Sequence, residues 1–357
     1  MKLHHVFDYT DVDRAFWEKH LEGWVPRRLI DAHVHVADPS LRLKEPTEAK
    51  RRSYWVMEVG EPQSAETLAR CYDTVFPGRD VSLLCFGHPS LEYDIEAGNA
   101  YVSRQCAARE WRGLAVSRPA WTARETEHAL NAPGIIGLKP YYAMIGPSES
   151  GRDRYIEASI FDFVPHPQLE ALNARGGWLT LHVPKADRLG HPDNIREVKE
   201  LRRRYPDIIL VIAHFGRSYT EPHALEAIPQ LAEDDGLFWD NSAVLNPAVH
   251  RLALKEIGPE RILYGTDNPI FYMRGRRQWK GRAYINRTSY PFHFNKDRES
   301  PEIEAKYTLY MYEAIKAIKD ACDETGADAS AVEAIFHGNA DRLIRRALAT
   351  KPAATDR

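Results

Sequence analysis

Two histidines at alternate positions of an apolar segment, Ile30-Asp31-Ala32-His33-Val34-His35-Val36, are the first residues in this 357-residue sequence whose spacing points to chemistry. In an extended strand the period of two sets Asp31, His33 and His35 on one face and the apolar residues on the other. Two imidazoles side by side can clamp a metal ion through their ring nitrogens. A lone His-x-His pair also occurs in ordinary cores and surfaces, so further ligands are needed. They stand at the ends of later apolar segments: Lys139, His182, His214 and Asp267. Neutral imidazole and carboxylate suit zinc and similar divalent ions. Three or four such ligands with one open position make a Lewis acid that generates hydroxide near neutral pH, so water becomes the nucleophile.

The elements that must bring these residues together are strands of apolar and β-branched character at 29–36, 81–87, 113–117, 135–141, 178–183, 208–214, 237–242 and 262–266. Helical patterns separate them at 64–76, 97–111, 122–131, 166–175, 192–205, 224–232 and 247–257. Eightfold strand-helix alternation predicts an α/β fold, a (β/α)8 TIM barrel closed by right-handed crossovers. Strand ends then converge on the face where catalytic loops lie, which is where the candidate ligands fall. An open doubly wound sheet is the rival, but no Gly-rich phosphate turn follows the first strand. Residues 1–28 read as a helical extension whose helix at 11–23 presents Val12, Phe16 and His20. Residues 29–348 form the barrel, with a lid-like loop at 268–299, a long helix from Ser300 to Gly326 and a last helix capped by Asn339. Residues 349–357 read as a flexible tail.

Composition narrows the function classes. Apolar residues make up 43% and charged residues 28%, the mix of a folded globular protein. A net charge of 48 − 51 = −3 offers no field to hold a polyanion, which argues against nucleic acid. No stretch reaches the ~20 apolar residues of a membrane span, and residues 1–28 lack a secretory apolar run, so a cytoplasmic protein is expected. Cys71, Cys85, Cys106 and Cys322 are far apart and read as buried free thiols.

The motifs Asp31-Ala32-His33-Val34-His35, Gly137-Leu138-Lys139, Leu181-His182, Ala213-His214-Phe215-Gly216, Tyr264-Gly265-Thr266-Asp267-Asn268-Pro269 and Gly338-Asn339-Ala340 together resemble the amidohydrolase superfamily. The resembling branch is the one of aminocarboxymuconate-semialdehyde decarboxylase and of sugar and pyrone-dicarboxylate lactonases. The resemblance implies that His33, His35, His182 and Asp267 ligate one divalent metal, zinc ahead of manganese, with Asp267 as base and His214 as electrophile or proton shuttle. Lys139 has two implied roles. In binuclear relatives such a lysine is carbamylated and bridges two metals, with His182 and His214 on the second ion. In the mononuclear branch, the preferred reading here, it stays an ammonium and binds a substrate carboxylate or pairs structurally with an acid in the barrel. The activity implied is hydrolysis of a lactone, ester or amide, with non-oxidative decarboxylation as the alternative. Several aromatic-acid decarboxylases of the branch carry Glu-x-His on the first strand, where this sequence keeps His33.

The segment 268–299 carries eight basic residues against Asp297 and Glu299, with seven aromatics interleaved. At the catalytic face that balance fits a small anionic substrate held by arginine, with Arg274 and Arg282 as candidates. Arg118, Tyr141, Tyr142, Arg152, Arg154 and His88 on other loops are candidates to complete the pocket. The same basic residues also suit a solvated face or a contact between copies, so a homo-oligomer is kept as an alternative. Asp240, Asn241 and Ser242 end the seventh strand, where they could orient a ligand.

Overall fold

The computed structural model describes residues 1–3, 5–146 and 155–349. Eight strands occupy the eight apolar segments: β1 Arg28–His35, β2 Asp80–Phe86, β3 Arg112–Ala115, β4 Ile135–Leu138, β5 Trp178–Leu181, β6 Ile209–Ile212, β7 Leu237–Asp240 and β8 Ile262–Leu263. They pair in parallel, each with its sequence neighbour, because outer helices return the chain to the same end each time. The ring closes through the segment after β8. Ala32 N donates to Tyr264 O, Asp267 N to His33 O and His35 N to Asn268 O, each at 2.9 Å. The architecture is a (β/α)8 barrel.

Local sequence explains the helix starts. Ser64 accepts from Thr67 N to open the helix Ala65–Val75, and Thr122 with Glu125 forms the capping box of Ala123–Asn131. Trp178, Leu179, Leu210, Ile212, Leu237, Trp239 and Leu263 are fully enclosed. All four cysteines are buried free thiols, as their spacing suggested. No helix among the described residues is long and apolar enough to cross a membrane.

Outside the barrel several expectations change. The helix Asp11–Phe16 continues as a π turn, Trp17–Leu21, and buries Asp13, Trp17 and Leu21. That face lies one residue along from Val12, Phe16 and His20, because Asp13 has a buried cation to meet. The segment after β8 is not a structureless loop. It forms an antiparallel hairpin, β9 Gly275–Lys280 and β10 Ala283–Thr288, around a two-residue turn in which Gly281 takes φ +57°. The long helix from Ser300 is two helices, Pro301–Glu304 and Tyr310–Thr325. Between them Leu309 bridges to Arg274 as a strand would, and Gly275 N donates to Thr308 O at 3.0 Å, so this chain covers the start of the hairpin instead of coiling. Asn339 is itself the first residue of the last helix, Asn339–Ala349, and not the cap preceding it. Its amide donates to Pro259 O and Ile262 O, tying the last helix to β8. A segment between β1 and Ala65 adds two short helices, Glu48–Ser53 and Val56–Val59, which the sequence pattern left unassigned.

Candidate functional site

At the C-terminal end of the strands His33, His35 and Asp267 meet. His35 Nε2 lies 3.3 Å and His33 Nε2 3.6 Å from Asp267 Oδ1. Ligand atoms at ~2.1 Å around a tetrahedral ion sit about 3.4 Å apart, so the spacing is that of a metal triad. The ring-closing bond from Asp267 N to His33 O fixes this meeting. Gly265 allows it, since a Cβ there would come 2.9 Å from His33 Cβ and 3.0 Å from Ser242 Cβ.

Each ring is oriented through its other nitrogen. His33 Nδ1 donates to Asp240 Oδ2 at 2.9 Å and His35 Nδ1 to Gly87 O at 3.3 Å, which leaves both Nε2 lone pairs for a cation. Asp240 also accepts through Oδ1 from His214 N at 2.9 Å and Ser242 N at 3.1 Å, and from Ser242 Oγ. Asp31 does not face the metal donors. It accepts from Thr266 N at 3.0 Å, Thr266 Oγ1 at 2.6 Å, Tyr72 OH at 2.5 Å and His33 N at 3.1 Å, bracing β1 against the turn that carries Asp267.

The remaining expected ligands lie in the same cavity. The His214 ring centre is 4.6 Å from that of His33, and the His182 ring centre is 5.3 Å from that of His214. His33, His214 and Asp240 form a second close donor group, whereas the His182 nitrogens stand outside both groups. Lys139 Nζ is 3.4 Å from His33 Nε2 and 4.6 Å from the centre of the Phe86 ring. Asp267 and His214 hold φ +65° and +56°, and Ala243 +61°, left-handed conformations costing about 1–3 kcal/mol each and tolerated where position matters more than comfort.

Burial sets the charge states. It lowers His35 to about 3 and His214 to about 4, and holds His33 well below the usual imidazole range, so all three are neutral near pH 7. Desolvation lowers Lys139 to about 8 and raises Asp267 to about 6. As pH falls through 6, metal binding must then also displace a proton from Asp267. Zinc affinity, titrated between pH 5 and 8, is expected to fall most steeply below 6, where Asp267 takes up its proton. A pH-independent affinity would contradict this charge assignment.

A cavity of about 160 Å³ opens above these donors. It is lined by Tyr141, by His88, by Tyr54, Trp55, Val56 and Met57 of the added helical segment, and by Arg188, Arg217, Tyr219, Phe271, Arg277 and Tyr284. Tyr142 lies behind Tyr141 with ring centres 4.6 Å apart. The arginines expected from sequence are not among the lining residues. Arg274 is buried against Asp13, Arg282 pairs with Glu226 at the surface, and Arg118 pairs with Glu96. Arg152 and Arg154 lie outside the described residues. Sequence reading missed Arg188 and Arg217, and took Arg277 only as one of the eight basic residues of 268–299. The signal for Arg217 was its place directly after the motif ending in Gly216. For Arg277 it was the alternation of β9, which turns that residue inward.

Comparison with known proteins identifies the family and the shared fold. A family model described as amidohydrolase matches residues 30–346. The chain belongs to the amidohydrolase family. Among solved structures, a zinc-bound amidohydrolase from Burkholderia multivorans has TM-score 0.56 at 14% identity, covering 89% of this chain and 99% of that one. A probable 2-pyrone-4,6-dicarboxylic acid hydrolase from Acinetobacter baumannii, with citric acid bound, has TM-score 0.54 at 15% identity and coverage of 89% and 99%. A 5-carboxyvanillate decarboxylase from Sphingomonas paucimobilis has TM-score 0.53 at 17% identity and coverage of 90% and 99%. No curated protein matches. At these identities the neighbours establish the shared fold of this amidohydrolase, while hydrolase and decarboxylase chemistries both occur on it.

Proposed function

We propose that this amidohydrolase is a metal-dependent hydrolase of a small anionic or sugar-like carbonyl compound, a lactone or ester ahead of an amide. The observation that carries the reading is the convergence of His33 Nε2, His35 Nε2 and Asp267 Oδ1. The donor set fits one divalent ion, zinc first and manganese second, with His182 as the further ligand and a binuclear site bridged by carbamylated Lys139 as the less favoured form. When bound, the ion supplies Lewis acidity that polarises a carbonyl and makes water acidic near neutral pH.

The protein's own groups do the rest. Asp267, which burial without an ion raises to about 6, is ionised at pH 7 and stands beside the donor atoms, placed to take a proton from water. His214 Nδ1 contacts Ser242 O at 3.0 Å and Ser242 Oγ at 2.8 Å. Ser242 Oγ spends its proton on Asp240, so His214 Nδ1 donates and its Nε2 is left as an acceptor. His214 can therefore receive a proton and pass it to a leaving group, the shuttle role. The cavity, similar in size to the ~150 Å³ cavity that holds benzene, suits a substrate of about one ring.

A decarboxylase is the second reading, favoured by one observation. Lys139, lowered to about 8, is a buried acid facing the donor atoms and suited to protonating a carbanion. A panel of lactones, esters and carboxylic acids, assayed for acid release and for carbon dioxide in parallel, separates the two. Acid release without carbon dioxide is expected; carbon dioxide release would replace the hydrolase reading.

A further inference from the structure

Two of the arginines lining the cavity break a pattern that their neighbours follow. Arg274 pairs with Asp13, Arg276 with Glu299, Arg282 with Glu226 and Arg298 with Glu304. Arg217 and Arg277 are 4% and 5% exposed, yet among the described residues neither has a carboxylate within 4.0 Å. A guanidinium taken out of water without an anion is costly, so two lining the same cavity call for a reason.

What they do contact holds them without neutralising them. Arg277 Nε donates to Asn286 Oδ1 at 2.9 Å and Nη1 to Ala243 O at 2.8 Å. Its guanidinium carbon lies 4.3 Å from the Tyr284 ring centre and 5.5 Å from that of Tyr219, which fixes its plane by cation–π contact. Arg217 Nη1 donates to the carbonyls of Val183, Pro184 and Lys185 at 3.3, 3.2 and 2.7 Å. No acceptor meets Nη2 of either residue among the described residues. Two oriented, partly unsatisfied guanidinium forks lining one cavity are the donors that planar, two-oxygen recognition of a carboxylate uses. Val56, Met57, Ile270 and Phe271 add apolar surface to the same cavity, as a ring would require.

We propose that Arg217 and Arg277, framed by Tyr219 and Tyr284, form the carboxylate subsite of this enzyme, so that the substrate is a single-ring carboxylate. Its placement with the reacting carbon toward Asp267 rests on reading His33, His35 and Asp267 as the metal centre; the binding of the carboxylate does not.

Calorimetric titration with benzene-1,3-dicarboxylate and with the matching dicarboxamide tests this on the full chain, before and after chelation of metal. The diacid should bind at least about tenfold more tightly than the diamide, the worth of one charge-assisted hydrogen bond or more. Arg277→Gln and Arg217→Gln should each weaken the diacid about tenfold or more without changing zinc content, with Arg277→Lys intermediate. Equal affinity for diacid and diamide in the unmodified protein, or unchanged diacid binding in both folded variants, overturns the subsite. The unmodified protein alone decides if a variant fails to fold. Diacid binding that persists in a protein unable to take up zinc would remove the metal reading and leave the subsite standing. Zinc uptake without diacid binding would do the reverse.

Discussion

Asp267→Asn is expected to keep its metal and lose hydrolysis by about 10²–10⁴-fold, the range attached to a positioned general base. The substitution retains an oxygen at the Oδ1 position, 3.3 Å from His35 Nε2, but removes the basicity. Backbone geometry should hold, because the bond from Asp267 N to His33 O and the φ of +65° do not depend on the side chain's charge. Metal content by elemental analysis and turnover on the best substrate are the two readouts. Full activity in a metal-loaded variant would take the base role away from Asp267.

Asp13→Ala should destabilise the protein by about 3–5 kcal/mol, the cost of leaving one member of a buried ion pair alone. Arg274 Nη1 donates to Asp13 Oδ1 at 2.8 Å and to Tyr307 O at 2.8 Å, while Nη2 reaches Asp8 O at 2.6 Å and Asp13 Oδ2 at 2.5 Å. Thr308 Oγ1 adds a bond to Asp13 Oδ1 at 3.0 Å. One carboxylate thus joins the N-terminal helix, the root of β9 and the break between the two C-terminal helices. The expected result is a lower urea midpoint, with much of the loss recovered when Arg274→Met is added, since no unpaired charge then remains buried. A single variant within about 0.5 kcal/mol of the parent would show that carbonyls alone suffice for Arg274.

The barrel and the convergence of His33, His35 and Asp267 were legible in the sequence for the same reason. Buried parallel strands read as short apolar runs, and imidazoles placed at strand ends stand out against them: His33 and His35 on β1, His182 directly after β5, His214 after β6. Asp267 needed the added knowledge that β8 returns to β1. The substrate wall was not legible, because arginine's reach is long and its partner is chosen by tertiary contacts. Arg274 and Arg277 are three residues apart with similar neighbours. One turns to a carboxylate 261 positions away, and the other into the cavity. The turn around Gly281 separates two six-residue strands; with that hairpin recognised, alternation would have singled out Arg277 over Arg276 and Gln278. The helix break near Thr308 was likewise hidden, since Ile303, Tyr307 and Met311 keep helical spacing while the backbone between them pairs with Arg274. Periodicity reports what a segment could do alone, and here a neighbouring edge outcompeted it.

The most direct measurement is an anomalous difference map at the zinc edge from crystals of zinc-loaded protein. One peak about 2.1 Å from His33 Nε2, His35 Nε2 and Asp267 Oδ1 is the expected result. A loaded crystal with its ion elsewhere, and those three side chains bound only to one another, would contradict the account.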